Sequence, residues 1–135
     1  MLLIVRRAVP ARASLPQLLL HASLAAALNT VLLVSLAAAF RPLVASALYT
    51  FLAPGVAGLV AWGYFRRSDA AEPLVAAIAF TAIGAIADLA AIGMAGAGVQ
   101  LLDPAFGIGF PLLLTFGATG LVGEIVPTLR RARHH

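Results

Sequence analysis

Asp88 lies inside the run AIGAIADLAAIGMAG (residues 82–96), and no other charged side chain occurs between Glu72 and Asp103. An ionised Asp at the centre of a membrane helix costs about 2.5–3.5 kcal/mol on insertion scales. The protonated acid is the cheaper form there. A carboxyl that is neutral when dry and ionised when wetted or paired with a cation is the working part of a proton relay. The competing reading is structural, with a protonated Asp88 tied by hydrogen bonds to Asn29, Tyr49 or a backbone carbonyl.

Other groups fall at comparable depth. With 1.5 Å rise per residue, Asp88 lies roughly 22 Å along the span that opens at Pro73, and Asn29 roughly 21 Å along the one that opens at Leu15. Tyr49 lies about 10 Å in from the opposite face. Asn29, Tyr49 and Asp88 are therefore expected around one central polar site for protons or substrate. A shallower pair, His21 and Glu124, falls about 8–9 Å from the other surface. Arg66, Arg67 and Tyr64 can reach that level. Glu124 is expected to pair with Arg66, Arg67 or Arg131. His21, if functional, would pass protons between Glu124 and the deeper level.

Periodicity assigns faces. Gln17, His21, Asn29 and Ser35 share a 120° sector of the first span at about 100° per residue, and Thr81, Gly84 and Asp88 share a face of the third. Gly117, Gly120 and Glu124 share a face of the fourth, and small residues beside polar ones mark close helix approach. Gly117, Gly120 and Gly123 follow no strand, so they form no nucleotide loop. Pro54-Gly55 interrupts the second span near its centre, where proline removes a donor and kinks the helix. Trp62, Tyr64 and Phe65 read as an interfacial aromatic anchor.

The elements that position these groups follow from composition. Of 135 residues, 62% are hydrophobic and 10% charged, with mean hydropathy +1.03. Soluble domains carry about 25% charged residues. Four apolar runs, about 15–40, 42–65, 73–97 and 105–129, each exceed the about 20 residues that cross a bilayer core. The expected fold is all-α, a single integral membrane bundle of four transmembrane helices. The first run carries His21 and Asn29 and is longer than the apolar part of a signal peptide, so it is read as a retained span. The segment before it, apolar and then basic, reads as an inner-leaflet anchor or a frayed basic tail.

Arginine bias sets the expected orientation. Arg6, Arg7, Arg12, Arg66, Arg67, Arg130, Arg131 and Arg133 all fall in segments on one side, and only Arg41 falls on the other. Both termini are expected in the cytoplasm. The pI near 11.2 reflects this topology rather than a nucleic-acid partner.

Cysteine and lysine are both absent. That removes disulfides, thiolate chemistry, Schiff bases and a P-loop lysine. Of three histidines, His134 and His135 end the chain, so neither a metal site nor a cofactor is expected. Alanine, glycine and arginine richness without lysine fits a high-GC bacterial genome. The first functional reading is a small bacterial inner-membrane transporter or channel, proton-linked through Asp88. It would work as a homo-oligomer on a small hydrophobic or cationic solute, because four helices enclose little room alone. The alternatives are a membrane-embedded enzyme acting on a lipid-soluble substrate, with Asp88 as general acid or base, and a non-catalytic membrane subunit.

Overall fold

A computed structural model of the chain describes residues 15–68, 72–95 and 109–133. The described residues form four helices and no strands: α1 (Leu15–Ala39), α2 (Pro42–Arg67), α3 (Pro73–Ala95) and α4 (Phe110–Ala132). All four are long and apolar enough to cross a membrane. The α1–α2 junction is short because Arg41 adopts an extended backbone and Pro42 opens the next helix. The residue before a proline is pushed out of the helical region, whereas proline itself suits the first helical turn.

Two ends run further than the sequence pattern suggests. Helix α2 continues through Arg66 and Arg67, and Ser68 closes it by donating its N–H to the Tyr64 carbonyl. Helix α4 continues through Pro127 to Ala132. The expected anchor before Leu15, the 96–108 connection with Asp103-Pro104, and His134 and His135 lie outside the described residues.

The helices form a ring in the order α1–α2–α4–α3, so α2 and α3 face each other across its diagonal, as do α1 and α4. Contacts along the helices give their directions. His21 near the start of α1 meets Tyr64 near the end of α2, and Arg130 near the end of α4 bonds the carbonyl of Arg66. Neighbours α1 and α2 are thus antiparallel, while α2 and α4 are parallel. Arg66, Arg67, Arg130, Arg131 and Arg133 gather at one end of the bundle, and Arg41 lies at the other.

The bundle is built with small residues inside and large ones outside. Leu20, Val31, Phe51, Leu59, Ile86 and Leu121 are among many large apolar side chains on the outer surface. In contrast, the inner row of α2 runs Ala45, Tyr49, Ala53, Ala57, Ala61 and Phe65 at four-residue steps, all buried. That is one i±4 ridge of a helix, and alanines along it bring neighbouring backbones close, as lipid-phase packing requires. The corresponding row of α4 is Pro111, Thr115, Thr119 and Gly123.

These inner faces correct several expected ones. Gln17, Ser35, Gly117 and Glu124 are exposed, because α1 and α4 are rotated to bury Leu18, Ala22 and Ala25, and Thr115, Thr119 and Gly123. Tyr64 and Phe65 are buried, so of the expected aromatic anchor only Trp62 faces outward. The tight glycine is Gly123. A Cβ there would lie 2.7 Å from Pro73 Cβ and 2.8 Å from Phe65 Cζ, whereas at Gly117 or Gly120 it would meet nothing within 4 Å.

Gly123→Ala is accordingly expected to destabilise the bundle by about 1–3 kcal/mol, the usual cost of overpacking. Gly117→Ala should be neutral or slightly stabilising, since alanine is the better helix former. Thermal unfolding of the two variants in the same detergent distinguishes them, and an equal effect from both would remove the packing argument.

Candidate functional site

The alanine ridge of α2 is broken in its first half by Tyr49, and that side chain spans the ring. Its hydroxyl donates to Asp88 Oδ2 on α3 at 2.7 Å. Both residues are fully enclosed, Tyr49 at 1% and Asp88 at 3% of their free exposure. Helices α2 and α3 make little direct contact across the diagonal, and Tyr49 is the large side chain between Ala45 and Ala53 that crosses it.

One turn further along α2, the amide of Asn29 reaches the Ala53 carbonyl at 3.4 Å. Pro54 follows that carbonyl directly. Lacking an N–H, Pro54 leaves the Thr50 carbonyl without its usual helical donor. Thr50 bonds back through Oγ1 to the Ser46 carbonyl at 2.8 Å, a contact that tends to bend a helix. The α2 backbone beside Asp88 is therefore locally weakened.

Above and below this level the interior is apolar. Leu18, Ala22, Tyr64, Phe65, Phe80 and Val126 belong to a cluster towards the arginine-bearing end. Leu33, Leu36, Ala45, Tyr49 and Ala53 form a smaller one towards the other end. Between the two clusters lies a polar belt containing Asn29, Asp88 and Thr119, each nine-tenths or more buried. By helical rise, Thr119 is roughly 20 Å from the arginine-bearing end, level with Asp88.

The polar atoms of the interior are incompletely bonded, those of the belt and those outside it. Buried side-chain atoms without a hydrogen-bond partner among the described residues are Asn29 Oδ1, Thr30 Oγ1, Ser46 Oγ, Thr81 Oγ1, Asp88 Oδ1 and Thr119 Oγ1. Each such atom costs about 1–3 kcal/mol relative to a satisfied one. Chemically, Tyr49 fixes one carboxylate oxygen and leaves the other to hold a proton or to accept from a cationic donor.

The five expected site residues divide into two groups. Asn29, Tyr49 and Asp88 all lie in the interior at one level, with Tyr49 and Asp88 joined directly. His21 and Glu124 are not brought to them. The His21 ring shares a hydrogen with the Gln17 carbonyl through Nδ1 at 2.7 Å and packs 5.5 Å from the Tyr64 ring. Glu124 is exposed and, among the described residues, makes no ion pair with Arg66, Arg67 or Arg131. Its carbonyl accepts from Thr128 Oγ1. No group of three or more His, Asp or Glu converges as a metal site among the described residues.

Ser46, Thr115 and Thr119 belong to the interior and were not marked by the sequence reading. The four-residue spacing of Pro111, Thr115, Thr119 and Gly123 is the signal that points to the last two.

The Tyr49–Asp88 bond is testable by a double-mutant cycle of Tyr49→Phe, Asp88→Asn and the pair, read by unfolding in detergent. A coupling of about 1–3 kcal/mol is expected for a buried bond to a carboxyl. Additive effects would mean that the two side chains do not act together. Comparison with family models, curated proteins and solved structures finds no match for this chain.

Proposed function

We propose that the protein is a multi-pass protein of a bacterial inner membrane that moves a small cationic or apolar amine-like solute in exchange for a proton on Asp88. The observation that carries this reading is the half-bonded carboxyl: Oδ2 is held by Tyr49 while Oδ1 has no hydrogen-bond partner among the described residues. A carboxyl placed only to staple helices gains most by bonding both oxygens. Leaving one unbonded in a dry interior is useful when that oxygen exchanges a proton for another positive charge.

The large apolar outer surface and the arginines at one end support insertion with that end in the cytoplasm. The exchange is simple in its balance. The cationic solute pairs with the Asp88 carboxylate as the acid proton leaves to water, and reprotonation expels the solute. Tyr49 keeps the carboxylate oriented throughout by donating to Oδ2. Anions are disfavoured by the same carboxylate. Access must alternate past the Phe65 and Phe80 cluster on one side and the Leu33 and Leu36 cluster on the other. Pro54, with its weakened backbone beside the site, is the place where α2 can flex, as broken helices do at transporter midplanes. A second copy of the chain would complete the solute path, because one four-helix ring encloses little space.

Proton release from the purified, weakly buffered protein tests the reading directly. Adding tetraphenylphosphonium or a series of alkylamines should release about one proton per bound cation by this exchange stoichiometry, and Asp88→Asn should abolish the release. Release that persists in Asp88→Asn assigns the proton elsewhere. Absence of release with every compound, in a protein whose Tyr49–Asp88 coupling is intact, assigns Asp88 to packing.

A further inference from the structure

A groove of about 410 Å³ opens between the ends of α2 and α4, lined by Trp62, Arg66, Val126, Leu129, Arg130 and Arg133. Three of the six lining residues are arginines and none is acidic. The remaining three supply an apolar wall, with Trp62 at 39% exposure on its outer edge. We propose that this groove binds the phosphate of an anionic phospholipid of the cytoplasmic leaflet, with the lipid's glycerol and upper acyl chains against Trp62, Val126 and Leu129. This rests on the membrane reading above, but not on Asp88 or on transport.

The groove is preorganised. The last carbonyls of a helix lack intrahelical donors, and at the end of α2 the Arg66 carbonyl accepts from Arg130 Nη2. That contact clips α4 to α2 and holds a guanidinium at the groove. Guanidinium groups match phosphate oxygens in paired hydrogen bonds and are more weakly hydrated than ammonium groups. A soluble phosphate could use the same arginines, but it would leave the apolar wall unused. An indole ring beside cationic heads at the end of a span is also where a lipid interface lies.

Trp62 is the only tryptophan in the chain, so its fluorescence reports on this groove alone. The protein is reconstituted into phosphatidylcholine vesicles in which a fraction of the lipid is brominated phosphatidylglycerol or, in parallel, brominated phosphatidylcholine. Stronger quenching by the anionic lipid is expected, with an affinity preference of roughly thirtyfold for two surface arginines. Arg66→Gln/Arg133→Gln should lose that preference and keep the quenching by phosphatidylcholine, which also shows that the variant has inserted.

Arg67→Gln/Arg131→Gln removes the same charge from exposed arginines outside the groove and should keep the preference. Equal loss in both double variants would reduce the effect to general surface charge and overturn the site. Equal quenching by the two lipids in the native protein overturns it as well. A preference abolished by inorganic phosphate at constant ionic strength assigns the groove to a soluble phosphate and overturns the lipid assignment. Quenching by neither lipid would overturn the membrane reading together with the site.

Discussion

The hydrogen bond from Tyr49 to Asp88 is the constraint around which the bundle is arranged. A carboxyl in an interior of alanine and aromatic side chains has few partners, and the one it has comes from the helix diagonally opposite. That places three demands on the sequence. The ridge of α2 is small on both sides of Tyr49, with Ala45 before it and Ala53, Ala57 and Ala61 after it. Helices α1 and α4 must flank the bond without touching each other much. The carboxyl must also sit close to the level of the Asn29–Ala53 contact, so that Asn29 and Asp88 share one belt.

The distribution of side-chain size follows from the same constraint. In water a four-helix bundle buries leucines and exposes charges. Here most of the leucines and isoleucines cover the outside, and alanine, threonine, serine and glycine share the inside with a few large side chains such as Leu33, Phe65 and Phe80. Dispersion contacts between close backbones, rather than exclusion of water from large side chains, hold such a bundle together in lipid. Gly123, pressed between Pro73 and Phe65, shows how close the approach is where three helices converge. The cost of the small interior is that polar groups of Thr30, Ser46, Thr81 and Thr119 have no hydrogen-bond partner among the described residues.

Much of this is readable from the sequence, and the part that is not has a clear cause. Helix number and the starts of α2 and α3 follow from the length of the apolar runs and from Pro42 and Pro73, whereas α2 runs two residues past its apolar run, through Arg66 and Arg67. The comparable depth of Asn29, Tyr49 and Asp88 follows from counting residues; of the three, Tyr49 and Asp88 meet, whereas Asn29 bonds the Ala53 carbonyl. Facing was harder to read. In a soluble helix the polar residues mark the outside, but in α1 and α4 nearly every residue is apolar and the few polar ones are split. Asn29 and Thr119 point in, whereas Gln17, Ser35 and Glu124 point out. The reliable marker is the row of small residues at four-residue spacing, Ala45 to Ala61 on α2 and Thr115 to Gly123 on α4. Glycines alone mislead, since Gly117 lines open surface while Gly123 lines a contact.

The ring order has a consequence for how the chain assembles. Helices α1 and α2 are joined through two residues and can form a hairpin as soon as both are made. Helix α2 packs on α4 and α1 on α3, so every remaining contact of the first hairpin is with the second. The Tyr49–Asp88 bond joins residues 39 apart in sequence and can close only after the two hairpins have docked side by side. Until then Asp88 is on a hairpin with no phenol beside it, and docking is the step at which the carboxyl first gains its partner.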